Sequence, residues 1–364
     1  MENGRTTGHG ARSAFGAGRV NLIGDHTDYA AGLALPMALD LGVTAGFASD
    51  PGDRLLIRSD ALGEITLPVP SSPAGWKALA AEADNERAWF RLILVALGRA
   101  GVAGGGELTF SSTLPIGSGL SSSAALLVAL WKLFHPGRAA SPWEIAAWCQ
   151  ACEHDIGAPV GLMDPLVSAA GGTGEALLVD FGGETLQPVV LPEMARFVIF
   201  DSGEPRQVAT SAYAERVKQV RQATEILGPL PQAMEADLDR LVDDLLVRRA
   251  RHVITECARV RRCASALGTG DLVVAGRLMT ESHHSLAADF EVSTPVLDDL
   301  VDRLLATEGV LGARLTGAGF GGCVLALTTS GASPDWSSFV GLRRFGPFGR
   351  GVHEHMPAGG RPPR

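Results

Sequence analysis

The stretch LPIGSGLSSSAALLVALWKLF, residues 114–134, constrains the fold of this chain more than any other. It predicts a strand that ends at Leu114 and Pro115, a loop rich in glycine and serine, and then a helix that opens with serines. Glycines let a backbone approach a ligand closely, and the first N–H groups of a helix lack partners within it and favour negative charge. The stretch therefore indicates an anion site, although a serine-capped buried helix fits part of the same pattern.

Three consecutive serines, at positions 121–123, exceed what a single helix cap needs. Their hydroxyls can donate to phosphate oxygens or bind Mg²⁺. The loop is not a Walker A motif, because no lysine follows its last glycine.

Composition narrows the class of protein. The chain has 364 residues, of which 46% are hydrophobic and 20% charged, so it can form one large or two medium domains. Its formal net charge of -9 argues against nucleic acid or an acidic membrane as the main partner. Because no apolar run approaches the ~18 residues of a membrane span and no signal pattern opens the chain, we expect a cytoplasmic protein.

The five cysteines are an odd number, and Cys149 and Cys152 form a lone C-x-x-C with no second pair. This pattern favours reduced thiols in the core over a zinc site.

Segments rich in Val, Ile and Phe alternate with helical patterns, which predicts a mixed α and β fold. The predicted strands are 19–24, 32–38, 43–48, 54–58, 106–112, 175–180, 196–201 and a glycine-rich region at 310–328. The predicted helices are 85–100, 121–134, 142–156, 163–170, 210–226, 237–266, 271–287 and 294–307. A connection near 181–195 suggests domains at 1–188 and 189–364, the first 13 residues read as a frayed terminus, and the tail from Gly331 is expected to pack loosely.

Several carboxylates stand where they could act in chemistry. Asp164 precedes a proline, so it is either a helix N-cap or a functional acid that a helix aims at a ligand. Glu153 lies in a helical pattern among apolar neighbours and is either a solvated residue or a metal ligand. Asp25 and Asp28 flank His26, and this spacing suits a pocket for a polyhydroxyl ligand better than a metal site.

Three motifs in order resemble those of one family. GRVNLIGDHTDYAAGLALP, which begins at Gly18, resembles the galactokinase signature. LPIGSGLSSSAAL, from Leu114, and TGAGFGGCVLAL, at 316–327, resemble the second and third motifs of the GHMP small-molecule kinases. The resemblance extends over nearly the whole chain, through the helical region and as far as VHEHMPAGG near the end.

The resemblance implies an α+β fold of two domains, an N-terminal ribosomal-S5-like domain and a C-terminal ferredoxin-like domain, with the active site in the cleft between them. It implies transfer of the γ-phosphoryl group of ATP, with Mg²⁺, to the anomeric hydroxyl of a sugar, most readily galactose. The expected partners are ATP and a small sugar or sugar-like acceptor, with no nucleic acid and no membrane, and the protein is expected to be a monomer or a weak homo-oligomer.

The resemblance also assigns roles to residues. It implies that Asp164 orients or deprotonates the acceptor hydroxyl, that Arg19 neutralises charge, and that Ser123 and Glu153 hold Mg²⁺. The implied sugar contacts are Asp25, His26, Asp28, Gly161 and Tyr213. The implied nucleotide-binding residues are Gly117, Ser118, Gly119, Leu120, Ser121, Ser122, Ser123, Gly317 and Gly319, with Gly321 in the same glycine loop.

Three positions depart from the galactokinase pattern, all of them at its sugar end. Asp25 stands where glutamate is usual, Pro165 where glutamine follows the catalytic aspartate, and Ala30 where asparagine is common. A related kinase for another sugar, a sugar phosphate or a cyclitol therefore remains an alternative. A galactokinase-like sensor without turnover is the alternative from a different class of protein.

Overall fold

The computed structural model describes residues 11–83, 88–115, 117, 119–158, 160–172, 174–204 and 209–349. The chain forms two compact units, each built from two segments. The first unit comprises Met1–Arg19 and Leu39–Ala170, and the second comprises Val20–Ala38 and Gly171–Arg364. The second unit thus takes its first segment from the sequence that precedes most of the first unit.

The strands and helices of the described residues follow one another in this order: β1 (Arg12–Asn21), β2 (Leu33–Ala34), β3 (Pro36–Asp50), β4 (Arg54–Ser59), β5 (Gly63–Pro68), α1 (Pro73–Glu82), α2 (Ala88–Ala100), β6 (Gly105–Ser112), α3 (Ser122–Phe134), α4 (Pro142–Asp155), α5 (Met163–Ala170), β7 (Glu175–Asp180), β8 (Thr185–Val190), β9 (Ala195–Asp201), α6 (Ala209–Leu227), α7 (Asp244–Thr269), α8 (Leu272–Ala288), α9 (Pro295–Leu305), β10 (Val310–Thr316), β11 (Cys323–Thr329) and β12 (Arg343–Phe348). Short 3-10 helices lie at Asp28–Ala30, Leu230–Gln232, Glu235–Arg240 and Ser337–Phe339.

In the first unit, a sheet runs in the order β3, β6, β4, β5. β6 pairs antiparallel with β3 and parallel with β4, and β5 closes a hairpin on β4. Helix α3 is buried along nearly its whole length, from Ala124 to Trp131, because its residues are apolar on every side. The predicted serine-led helix is thus a core helix that begins at the end of a glycine loop.

In the second unit, an antiparallel sheet runs in the order β10, β11, β9, β12. Its two central strands carry the continuous apolar runs FVIF and VLAL, which are buried on both faces of the sheet. Helices α8 and α9 pack against β10, and α7 packs between α6 and α8. Strands β7 and β8 form a hairpin that β2 extends.

Most predicted elements are confirmed. Helix α1 and strands β5, β8 and β12 were not predicted. Strand β12 shows that the expectation of a loosely packed tail was wrong, since it pairs with β9 from Arg343 to Phe348. Strand β1 begins at Arg12, so the end of the segment expected to fray is ordered as a strand. The closing motif at 352–360 lies outside the described residues.

None of the helices in the described part of the chain is both long and apolar enough to cross a lipid bilayer. All five cysteines are buried free thiols, as predicted, and burial raises the pKa of Cys152 to about 12. Among the described residues, no group of three or more His, Cys, Asp or Glu side chains is arranged to hold a metal ion.

Candidate functional site

The glycine loop of the first unit leads into α3 through backbone conformations that few residues adopt. Gly117 and Gly119 have φ of 72° and 71°, in the left-handed region where a Cβ is unfavourable. Ser121 also lies in this region, with φ of 64°, and its side chain makes no capping hydrogen bond. Strain of this kind at a polar residue is common at functional sites. Ser118 lies outside the described residues, and the nucleotide-binding roles of this loop stay predictions.

Arg19 and Asp164 form a bidentate ion pair. The Nε and Nη2 atoms of Arg19 donate to Oδ1 and Oδ2 of Asp164, each at 2.7 Å. Arg19 also donates from Nη1 to the carbonyl oxygen of Gly119, at 3.1 Å. The Arg19 side chain is 9% exposed and that of Asp164 is 34% exposed, so the carboxylate is held rigidly and still reaches solvent. The structure thus brings together two residues that lie 145 positions apart.

Ser121 adds a third contact to this pair. Its hydroxyl donates to Oδ2 of Asp164 at 2.5 Å. The sequence analysis placed Ser121 among the nucleotide-binding residues and did not anticipate this bond. Asp164 itself lies inside the first turn of α5, which begins at Met163, so the structural alternative that it is an N-cap is wrong. Pro165 falls in the same turn, where no backbone N–H is required.

Glu153 is a buried carboxylate on α4, 8% exposed. Burial raises its pKa, the hydroxyl of Ser123 opposes this shift, and the negative charge of Asp164 adds to it. A hydroxyl and carboxylates supply the hard oxygen donors that Mg²⁺ prefers, and a cation would remove the cost of burying Glu153. These side chains therefore fit the predicted metal, while their role as ligands stays a prediction.

Asp25 lies in the second unit, in the turn that follows β1, and is 2% exposed. Its Oδ1 accepts the backbone N–H of Gly317 at 3.0 Å, and its Oδ2 is bonded to Arg314. Both carboxylate oxygens thus have partners within the unit.

His26 follows in a left-handed conformation, with φ of 63°. One ring nitrogen lies 3.1 Å from the carbonyl oxygen of Ala318, and the other lies 2.9 Å from the hydroxyl of Tyr29. Burial lowers the pKa of His26 to about 4, so the ring is neutral at pH 7. A neutral ring with an acceptor on one side donates there and accepts from Tyr29 on the other.

Aromatic rings surround His26. Tyr213 on α6 lies 5.7 Å from its ring and 5.7 Å from that of Tyr29, centroid to centroid, and Phe290 lies 4.8 Å away. Asp28 and Tyr213 are partly exposed, which suits the sugar contacts predicted for them. Gly161, in the first unit, is partly exposed just before α5.

The glycine loop after β10 is held in place by close backbone contacts. Gly319 has φ of 75°, and a Cβ there would lie 2.3 Å from the carbonyl oxygen of Val292. Only glycine fits this position. The role of Gly317 and Gly319 in nucleotide binding stays a prediction.

Sequence reasoning missed a buried polar network in the second unit. Glu256 on α7 is fully buried and accepts the backbone N–H of Gly24 at 2.9 Å, the hydroxyl of Ser282 at 2.5 Å and Nε of Arg259 at 2.8 Å. His252, one turn earlier, lies 3.2 Å from the carbonyl oxygen of Asp25. A helical spacing of four between two polar residues facing the core is the signal that could have revealed this network.

Comparison with known proteins agrees with these motifs. Three family models match the chain: the galactokinase galactose-binding signature at residues 5–49, the GHMP kinases N terminal domain at 88–172 and the GHMP kinases C terminal region at 263–335. Galactokinase from Bos taurus is 38% identical over 337 residues, which cover 87% of this chain and 83% of that protein. Galactokinase from Mycobacterium tuberculosis is 38% identical over 345 residues, which cover 90% and 92%. The chain belongs to the galactokinase family.

Solved structures extend the agreement to the fold. Lactococcus lactis galactokinase complexed with galactose matches with a TM-score of 0.77 and 30% identity, over 88% of this chain and 86% of that one. Methanococcus jannaschii mevalonate kinase matches with a TM-score of 0.63 and 20% identity, over 94% and 98%, and so shares the fold. The predicted GHMP kinase fold is confirmed, and this member of the galactokinase family is a phosphotransferase.

Proposed function

We propose that this protein is an ATP-dependent galactokinase that forms galactose 1-phosphate and ADP. The observation that carries the proposal is the Arg19–Asp164 ion pair, held at the glycine and serine loop by Gly119 and Ser121. Its relatives at 38% identity are galactokinases along most of their length. The structurally similar Lactococcus lactis enzyme was solved with galactose.

Asp164 acts on the acceptor. Its partly exposed carboxylate accepts the hydrogen bond of the anomeric hydroxyl and orients that oxygen, or takes its proton, as the new bond forms. The sugar oxygen attacks the γ-phosphorus, the bond from that phosphorus to the bridging oxygen breaks, and ADP leaves with the electron pair. Arg19 offsets the negative charge that the carboxylate and the transferring group bring together.

Other parts of the chain supply binding. The backbone N–H groups at the start of α3 and the glycines at 117 and 119 suit the phosphates of ATP. Ser123 and Glu153 would hold Mg²⁺, which supplies charge neutralisation on the phosphates when it is bound. His26, Asp28, Gly161 and Tyr213 contact the sugar in this proposal.

The cytoplasmic location, the monomeric or weakly associating state and the domain boundary at 188 belong to the same proposal. Cell fractionation, light scattering and limited proteolysis test them separately.

The experiment that tests the function is a coupled ADP-release assay with Mg-ATP and a panel of acceptors. The panel holds galactose, other hexoses, N-acetylated hexosamines, sugar phosphates and cyclitols, and Asp164→Asn is the matched variant. We expect turnover that is highest with galactose and that falls at least about 100-fold in Asp164→Asn, the range of general acid–base effects. Turnover highest with another acceptor would contradict galactose as the substrate. No turnover with any acceptor, while ATP still binds, would contradict kinase activity and favour a sensor.

A further inference from the structure

The carboxylate of Asp25 is bound entirely by its own unit. Oδ1 accepts the backbone N–H of Gly317 at 3.0 Å, and Oδ2 is paired with Nη2 of Arg314. The side chains of this pair are 2% and 0% exposed. A carboxylate has about four acceptor sites, but this side chain is so deeply buried that an acceptor hydroxyl could reach it only by displacing the groups packed around it. If Arg314 were displaced, it would become a buried, unpaired charge.

Arg314 joins this carboxylate to Leu22, the first residue after β1. Its Nη1 donates to the carbonyl oxygen of Leu22 at 3.0 Å, and the residue stands two positions before the end of β10. The neutral His252 contacts the carbonyl oxygen of Asp25 from the other side, at 3.2 Å. Asp25 is therefore fixed at both its backbone and its side chain.

His26, the next residue, also contacts the loop after β10. A ring nitrogen of His26 lies 3.1 Å from the carbonyl oxygen of Ala318, one position beyond the glycine that Asp25 binds. Two consecutive residues of the turn after β1 thus hold two consecutive residues of the loop after β10. The partly exposed Asp28 follows two positions later, so the placement of this proposed sugar contact depends on the same turn.

We propose that Asp25 is a positioning residue that clamps the turn carrying His26 and Asp28 onto the glycine loop through Arg314 and Gly317, and that it does not contact the sugar. The proposal deepens the proposed function, on which its kinetic part rests. In this proposal the residues around Asp25 recognise the sugar. The loss of Asp25 therefore lowers kcat/KM by the same factor whichever hydroxyl the acceptor lacks.

The test is a kinetic cycle between protein and sugar. Wild type and Asp25→Asn are assayed with galactose and with its 2-deoxy, 3-deoxy, 4-deoxy and 6-deoxy derivatives. We expect Asp25→Asn to lower kcat/KM about 10-fold to 100-fold, by a factor that agrees within about threefold across all five acceptors. A direct contact would instead make the loss vanish with the one derivative that lacks the contacted hydroxyl, and that result would overturn the proposal.

A second cycle tests whether Asp25 acts through Arg314. We expect Asp25→Asn and Arg314→Gln each to lower kcat/KM. Because the two groups act as one unit, kcat/KM of the double variant should lie no more than about threefold below that of the less active single variant. Losses that multiply would contradict a shared role. If Asp25→Asn fails to fold, Arg314→Lys is read through the same acceptor panel, with the same uniform loss expected.

Asp201→Asn is the matched structural control. Asp201 also binds an arginine, Arg343, and accepts a glycine N–H, that of Gly203, at 3.0 Å. We expect its loss to lower the melting temperature while kcat/KM stays within about threefold of wild type. A fall as large as that of Asp25→Asn would show that losing any buried aspartate that pairs with an arginine in this unit suffices, against a specific clamp.

The activity of the wild type and the melting temperatures of the variants distinguish failure of the proposed function from failure of the clamp. If wild type phosphorylates none of the acceptors, the proposed function fails, and the melting temperatures of Asp25→Asn, Arg314→Gln and the double variant still decide the clamp. A double variant whose melting temperature is no lower than that of the less stable single variant supports the clamp. A decrease equal to the sum of the two single decreases overturns it.

Discussion

Ser121 is the residue whose role the structure changes most. Its hydroxyl donates to Asp164, so it helps to hold the carboxylate that we propose acts on the acceptor. A hydrogen bond to a charged group contributes about 1.5–3 kcal/mol, which corresponds to roughly 10-fold to 100-fold in rate if it persists in the transition state. We therefore predict that Ser121→Ala lowers kcat by about that factor while KM for ATP changes less than about threefold.

Ser122→Ala is the comparison, since Ser122 is exposed at the start of α3 and remains a proposed phosphate contact. It is expected to raise KM for ATP. Steady-state kinetics with varied ATP separate the two variants. If Ser121→Ala mainly increased KM for ATP, Ser121 would be a nucleotide-binding residue, as the resemblance implies.

Replacing Glu153 distinguishes a role in binding Mg²⁺ from a structural role. Burial raises the pKa of Glu153, which means that the folded protein holds this charge at a cost. We predict that Glu153→Gln raises the Mg²⁺ concentration needed for half-maximal turnover at least about 10-fold, while the melting temperature without metal does not fall. An unchanged Mg²⁺ dependence together with a lower melting temperature would identify Glu153 as a structural residue.

At the scale of elements, α7 stabilises the turn after β1 through Glu256. Three donors surround this fully buried carboxylate. Burial is the largest single influence on its pKa and raises it, but Arg259, His252, Arg314 and the hydroxyl of Ser282 together lower the pKa to about 2. Removing one member of such a group leaves its partners buried and unpaired. Urea denaturation of Glu256→Gln is expected to show a loss of about 2–4 kcal/mol in the free energy of unfolding.

The control for this loss is Glu281→Gln on α8, where a glutamate whose side chain is 43% exposed lies 3.6 Å from Arg277. Surface pairs of this kind contribute little, so a change below about 0.5 kcal/mol is expected. Equal losses in the two variants would contradict the special position of Glu256.

Buried histidines on these elements predict a dependence of stability on pH. Burial lowers the pKa of His252 to about 3, whereas the unfolded chain binds this proton near pH 6.5. The unfolded state therefore binds more protons as the pH falls below 6.5, and the contribution of His252 is lost progressively down to pH 3. Between pH 7.5 and 5.5 this amounts to about 1.4 kcal/mol.

We predict that His252→Gln loses about 1.4 kcal/mol less than wild type over the same interval, each protein being compared with itself by urea denaturation. His26, whose pKa burial lowers to about 4, remains in both proteins and contributes equally. Parallel curves for the two proteins would show that His252 titrates normally in the folded state.

The sequence predicted the elements whose periodicity or caps are strong. A serine or threonine at the helix start and a run of apolar residues predicted helices α3, α4 and α9. Unbroken apolar runs predicted β9 and β11. Strands β5 and β8 were missed because most of their side chains are exposed, although each forms a hairpin with the strand before it. Strand β12 was missed because it is ordered by pairing with the distant β9. Tertiary pairing outweighs local propensity there.

Sequence reasoning found the site residues of the first unit more completely than their contacts. Asp164 and Arg19 were identified from motifs, but the bond from Ser121 depends on a left-handed backbone that serine rarely adopts. The partners of Asp25 come from residues about 290 positions away, and no local pattern marks Arg314. Long-range ion pairs between buried residues are what a single sequence conveys least.

At the scale of the whole molecule, the two units interleave along the chain. The second unit includes Val20–Ala38 as well as Gly171–Arg364. A fragment that begins at residue 189, the proposed domain boundary, therefore lacks Asp25 and leaves Arg314 buried without its partner. We predict that fragment 189–364 shows no cooperative thermal unfolding by circular dichroism, whereas the full chain does. A cooperative transition in the fragment would show that the C-terminal half folds without the turn after β1.

The central claim is that Asp164 and Arg19 direct the γ-phosphoryl group of ATP to the anomeric oxygen of galactose. Phosphorus NMR of a reaction with Mg-ATP and galactose tests it most directly, with Asp164→Asn run alongside. We expect one new phosphomonoester signal that is coupled to the anomeric proton, formed by the wild type and at least about 100-fold more slowly by the variant. A phosphate on any other oxygen, or equal formation by Asp164→Asn, would contradict the claim.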